Sequence, residues 1–263
     1  MLLFKLALVG ALVLLSSLVA RRFGHALGGT IAGMPMIAGP IIGFVLWQQP
    51  LEQVRSIVLA TLVCLPAAMV HMASFAWGAM RWRWPEALLV SNLGFFAAGA
   101  LLSSGDRPVG LVLLMALVSP GLAVASLPRL RTVPAAVAIP RVELVCRVLA
   151  AAAMAWALVR GAGHLPPTLS GLLLALPVAG NVLPCFTLPR HGPAATVALV
   201  AGFMRGVYGF VAFFITLYVG LAWLPPASAY LLAWMVAAGA ALSVVLAEQR
   251  ARRAKTTNVA SSA

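Results

Sequence analysis

Five acidic side chains in 263 residues are far too few to solvate a protein surface. Charged residues of both signs reach only 9%, against about a quarter in a soluble domain, while 63% are hydrophobic. That balance excludes a soluble enzyme and a nucleic-acid-binding domain, because so much apolar side chain cannot be buried inside one globule of 27.4 kDa. Cysteine is scarce too. Cys64, Cys146 and Cys185 stand singly in apolar runs, with no metal-ligand spacing. The chain also lacks a His-x-x-x-His pair, a Gly-x-x-x-x-Gly-Lys phosphate loop, a supported Ser/His/Asp set and paired carboxylates for hydrolysis. The expectation is therefore no enzyme, no metal and no cofactor.

What is present is membrane-spanning material, with a mean hydropathy of +1.04. At about 20 apolar residues per crossing, the chain divides into about nine spans. They fall near 2–20, 26–47, 51–77, 85–103, 109–127, 142–159, 168–189, 193–221 and 226–247. The first is followed by Arg21-Arg22. A signal peptide carries its charge ahead of the apolar core, so this segment reads as a retained helix. The polar, basic tail Gln249–Ala263 reads as disordered.

Basic residues then give an orientation, since cytoplasmic loops are enriched in Lys and Arg. Arg21, Arg22, Arg81, Arg83, Arg129, Arg131, Arg141, Arg190, Arg250, Arg252, Arg253 and Lys255 fall on one side of a nine-span chain. Only Lys5, Arg55, Arg107 and Arg160 fall on the other. The expectation is an N-terminus outside and a C-terminus in the cytoplasm, in a bacterial inner membrane.

Sliding the chain by 142 positions lays the first four spans on the last four. Gly29 meets Gly171, Pro35 meets Pro177, Phe44 meets Phe186 and Leu46 meets Leu188. With one extra helix between them, two four-span units must enter the membrane in opposite senses, as inverted repeats of secondary transporters do. The fold class expected is an all-α polytopic bundle of two inverted four-helix repeats. Residues 1–103 and 142–248 form the repeats, 104–141 hold the linker helix and a basic loop, and 249–263 are the tail. The unit Gly29-Thr-Ile-Ala-Gly-Met-Pro35, followed by an apolar run and Gln48-Gln-Pro-Leu-Glu52, resembles small four-helix inner-membrane proteins of the GlpM-like family. Leu169-Ser-Gly-Leu-Leu-Leu-Ala-Leu-Pro177 resembles the same segment again, so the chain looks like a duplicated member. The resemblance implies four spans per unit and supplies no activity.

Spans two and seven carry Gly and Pro at matching positions. Proline removes a backbone donor, so each helix is expected to kink or unwind near Pro35 and Pro177. Paired interrupted helices point to a transporter's binding site. Pro35, Gly39, Pro40, Pro177, Gly180 and Asn181 are candidates on that ground, with close packing of small residues as the alternative. Arg205 lies near the middle of span eight, where a cation needs a partner or water, and Tyr208 shares its face. His71 and Asn92 are polar side chains within spans three and four. Glu52 with Arg55, and Glu143 with Arg147, have the spacing of local ion pairs. Together these residues predict a transporter of a small anionic or neutral solute, with Arg205 holding the negative group. A non-transporting scaffold for envelope biosynthesis and a lipid-handling protein are the alternatives. Expected partners are membrane lipid, a small-molecule solute and a second copy of the chain, and not nucleic acid.

Overall fold

The computed structural model describes residues 11, 30–128, 141–161 and 165–261, and every regular element among them is helical. After a helical turn at 30–33 come α1 (Ala38–Gln48), α2 (Leu51–Gly78), α3 (Trp84–Ser103) and α4 (Val109–Ser126). Then follow α5 (Arg141–Gly161), α6 (Pro167–Ala175), α7 (Val178–Gly220) and α8 (Pro226–Ser261). Six stretches among the described residues are long and apolar enough to cross a membrane: Thr30–Gln48, Leu51–Gly78, Trp84–Ser103, Val109–Ser126, Pro167–Gly220 and Pro226–Ser243. The first expected span, its Arg21-Arg22 pair, Gly29 and the basic loop at 129–140 lie outside the described residues, as do the side chains of Glu143 and Arg147.

α2 is the centre of the bundle. It packs against α3, α4, α6 and α7, and 61% of its most apolar window is buried, against 22% for α3, α4 and α8. Those three helices turn a second apolar face outward. Leu89, Leu93, Phe96 and Leu101 of α3, with Leu114 and Leu122 of α4, are exposed. A helix apolar on its inner and its outer side needs a nonaqueous surround, and lipid supplies it. Exposed Trp47, Trp82, Trp84 and Trp223 stand at helix ends, where indoles sit at the headgroup level.

Local chemistry sets the ends. Glu86 accepts a hydrogen bond from the Arg83 backbone N–H at 2.7 Å and closes a capping box, with Pro85 in the first turn of α3. At the other end of α3, the Arg107 guanidinium donates to the carbonyls of Leu101, Leu102 and Gly105, which would otherwise be orphaned. The stretch Pro167–Gly220 is 54 residues long, about 80 Å if straight at 1.5 Å per residue. It turns at Gly192, whose φ of 76° and ψ of −178° suit only glycine. α8 continues to Ser261, through most of the tail that composition reads as disordered. The reason is local: Ala247-Glu-Gln-Arg-Ala-Arg-Arg-Ala-Lys255 is made of strong helix formers.

Several helix ends and turn hydrogen bonds fall at positions related by the 142-residue offset. That offset carries the helix end at Gly33 to Ala175, the corner at Pro50 to Gly192, Leu51–Gly78 to 193–220 and the start of α3 at Trp84 to the start of α8 at Pro226. The turn after α2 has Ala79 N–H donating to Phe75 O at 2.8 Å and Trp82 N–H to Gly78 O at 2.8 Å. The turn after α7 repeats them, Leu221 N–H to Leu217 O at 2.9 Å and Leu224 N–H to Gly220 O at 2.8 Å. Gly78 abuts Ala87 just as Gly220 abuts Ala229.

The two halves are interlocked. The 30–48 segment lies on the second half, with Gly33 against Phe203 and Val207 of α7, and Gly39 and Gly43 against Trp234 and Tyr230 of α8. Pro167–Gly180 lies on the first, with Gly171 against Ala60 and Thr61 of α2, Gly180 against Met72, and Leu172 against Gly99 of α3. Backbones meet here because glycine leaves room. A Cβ on Gly206 would stand 1.9 Å from Thr30 O, and one on Gly171 would stand 2.5 Å from the Ala60 Cβ. Gly206→Ala and Gly171→Ala should each cost about 1–3 kcal/mol by overpacking, read as a fall in Tm of the purified protein in detergent. Gly110→Ala, with nothing within 4 Å, should hold or slightly raise Tm, since alanine favours the helix.

Candidate functional site

Both interrupted helices are broken where proline stands. The first loses helical form between Met34 and Ile37, the second at Leu176-Pro177. Their backbone groups are partly recovered by short-range bonds, Met36 N–H to Met34 O at 2.7 Å and Val178 N–H to Leu176 O at 2.9 Å. The two breaks face each other across a cavity of about 50 Å³. Gly33, Met34 and Ile37 line it from one side, and Leu176, Pro177 and Val178 from the other. Its lining side chains are apolar, Leu65 and Met69 of α2 and Phe203 and Phe210 of α7 among them.

Polar chemistry gathers beside the second break. Asn92 of α3 donates through Nδ2 to Leu88 O at 3.0 Å and to Asn181 Oδ1 at 2.8 Å. Asn181, in the first turn of α7, donates through its own Nδ2 to Pro177 O at 3.2 Å, a carbonyl that also receives the Asn181 backbone N–H. The Cys185 thiol donates to Asn181 O at 2.9 Å. Thus a side chain of the first half holds one of the second and ties it to the broken turn. Both amides line a cavity of about 300 Å³, bounded by Leu173 and Leu176 and by Ala150 and Ala157 of α5.

His71 sits behind this pair. Its ring is fully buried, edge-on to Phe95 at 6.4 Å, with the backbones of Ser91 and Gly180 beside it. Among the described residues, neither ring nitrogen has a hydrogen-bond partner within bonding geometry. A Cβ on Gly180 would lie 2.5 Å from Met72 Sδ, so glycine is what lets α7 approach α2 here. Of the candidate residues, the structure therefore brings together His71, Asn92, Pro177, Gly180 and Asn181. Pro35 lies at the opposite break. Gly39 and Pro40 lie in α1, under the aromatic rings of α8 and beside a cavity of about 900 Å³.

Arg205 and Tyr208 lie apart from this group. Arg205 is half-buried on α7 and has an interaction partner, and the Tyr208 hydroxyl lies over Gly121 of α4. Neither borders the three cavities just described. Arg55 lies 5.3 Å from the ring centroid of Tyr218, so the cation predicted to pair with Glu52 is held by an aromatic face instead.

Sequence reasoning did not find the partner of Asn92, nor Ala150 and Ala157. The offset contained part of the signal: it equates Asn92 with Trp234, Asn181 with Gly39 and His71 with Phe213. Those equivalents also touch. Gly39 lies under the Trp234 indole, and Phe213 packs on Trp234 at 5.1 Å. One interface carries two amides and an imidazole where the other carries a glycine and two aromatic rings.

Comparison with protein-family models, with curated proteins and with solved structures finds no match to this chain.

A double-mutant cycle with Asn92→Leu and Asn181→Leu should give a coupling of about 1 kcal/mol in unfolding free energy, the range of intramembrane hydrogen bonds. His71→Phe removes two buried, unpartnered nitrogens, each costing about 1–3 kcal/mol, and should hold or raise the Tm. A clear fall in Tm would mean that the imidazole has a structural partner.

Proposed function

We propose that this chain is a transporter of a small solute in the bacterial inner membrane, built from two four-helix units of opposite orientation with nine spans in all. The single observation that carries the reading is the meeting of two proline-broken helices, one from each half, beside a hydrogen-bonded amide pair contributed by both halves. Broken helices expose backbone groups that cannot face lipid, and such groups are used at substrate sites.

Opposite orientation is supported by the contact of Arg55 with Tyr218. It brings the start of α2 beside the end of 193–220, its equivalent, so the two helices run antiparallel. The charge bias is supported by Trp77 Nε1 donating to Ser126 O at 3.0 Å, which puts the ends of α2 and α4 on one side. On this scheme Gly192 turns the chain between two crossings, as Pro50 does in the first half. In alternating access, each broken segment moves with the half it packs against.

A second reading, lipid handling, is favoured by the cavity of about 900 Å³ lined by Met36, Phe44, Trp47, Tyr230 and Trp234. Its walls suit an acyl chain.

Two measurements test the proposal. In a cysteine-free background, Gln49→Cys should react with a membrane-impermeant maleimide on intact spheroplasts. His191→Cys, its equivalent, should react only after permeabilisation. Labelling of both from one side contradicts the inverted arrangement. Metabolite profiling of cells lacking and overproducing the protein, followed by uptake of the hits into proteoliposomes, should reveal a solute whose entry falls at least tenfold in Asn92→Leu. Unchanged uptake in that variant contradicts the site.

A further inference from the structure

The two halves offer cavities that share part of their lining under the offset, and only one of them is lined by a pair of side-chain amides. The 142-residue offset carries Val178, Val182 and Asn92 of the 300 Å³ cavity to Met36, Pro40 and Trp234 of the 900 Å³ cavity. In the second, the Trp234 indole covers Gly39, and Tyr230 Oη donates to Gly39 O at 3.1 Å. In the first, the place of that indole is taken by the shorter Asn92 side chain.

The hydrogen bonds of the amide pair decide what the first cavity presents. Both Nδ2 hydrogens of Asn92 are used, on Leu88 O and Asn181 Oδ1. Asn181 spends one Nδ2 hydrogen on Pro177 O. Left over are Asn92 Oδ1, an acceptor, and the second Nδ2 hydrogen of Asn181, a donor. They belong to two side chains joined by a 2.8 Å bond, and both side chains line the cavity. The other lining residues among those described are apolar, and none of these carries a charge. An ion brought into such walls meets no counter-charge and loses its hydration, whereas a neutral group with a matching donor and acceptor replaces its water bonds one for one. The volume, about 300 Å³, is at the small end of ligand sites.

We infer that the cavity between α3, α5, α6 and α7 is a binding site for a small uncharged solute that carries both a hydrogen-bond donor and an acceptor, a primary carboxamide being the simplest case. The inference deepens the transport reading and rests on it only for the claim that the bound solute moves. It separates the substrate from Arg205 and assigns one site per chain, although the architecture is duplicated.

The test uses the full chain in lipid nanodiscs, titrated with acetamide, benzamide and nicotinamide, with benzoate and nicotinate as charged counterparts of the last two. At least one amide should bind at one per chain and raise the Tm, and its acid should bind at least tenfold more weakly. Asn92→Leu and Asn181→Leu should each weaken the amide at least tenfold. Ala157→Phe, which fills the cavity from α5 and leaves both amides in place, should do the same, so the result does not depend on the Asn variants folding. Trp234→Phe should leave binding unchanged. No binding by any amide, equal binding of the acid, or full binding in Ala157→Phe would overturn the inference. Amide binding without uptake into proteoliposomes would leave the site standing and remove the transport reading.

Discussion

A proline inside a membrane helix frees backbone groups that lipid cannot satisfy. Two such breaks, at Met34–Ile37 and at Leu176-Pro177, govern the rest of this structure. Each must be covered by protein, and each is covered by the other half of the chain. The broken 30–48 segment is laid on α7 and α8, and the Pro167–Gly180 segment on α2 and α3. The glycines follow from that requirement. Gly33, Gly171 and Gly206 stand where backbones come together too closely for any Cβ. Without a hydrophobic force between helices in lipid, such close packing is what holds the bundle.

Interlocking also explains why polar chemistry is concentrated in one place. In an interlocked pair, each interface joins a broken segment to a helix pair of the other half, so the two interfaces can diverge without disturbing the frame. One has Gly39 under Trp234, whose indole packs edge-to-face with Phe213 and Tyr230 beside the larger cavity. The other has Asn181 bonded to Asn92, with His71 behind and a cavity in front. The aromatic side contributes packing. Among the described residues, the amide side leaves an acceptor and a donor unused and two imidazole nitrogens unpartnered. An arrangement that forgoes stabilisation in one of two equivalent places is the expected mark of a site.

Much of the fold was legible in the sequence, because its signals are local. Hydropathy divided the chain into nine spans, of which six apolar stretches stand among the described residues, with 168–189 and 193–221 joined in one, and the prolines at 35 and 177 anticipated both breaks. The site was legible only in part. Proline and glycine marked the broken segments, and His71, Asn92 and Asn181 stood out as polar residues in apolar runs. Their meeting was hidden, because a self-contained unit pairs Asn92 with Gly39. Only the exchange of broken segments between halves pairs it with Asn181. Arg205 drew attention as a midspan cation, but its interactions depend on tertiary structure that spacing along one helix does not report. The helical tail followed from Ala, Arg and Lys content that a reading by net charge passes over.

The account depends most on α2 and 193–220 being equivalent helices that run in opposite directions. Cross-linking with a short bismaleimide reads this directly in the native membrane, in a chain without other cysteines. Arg55→Cys paired with Tyr218→Cys should cross-link in high yield, since these side chains are in contact. Arg55→Cys paired with Ala194→Cys, at the far end of the same helix, should not. The reverse pattern would mean that the two helices run parallel, and it would contradict the inverted, interlocked pair of units.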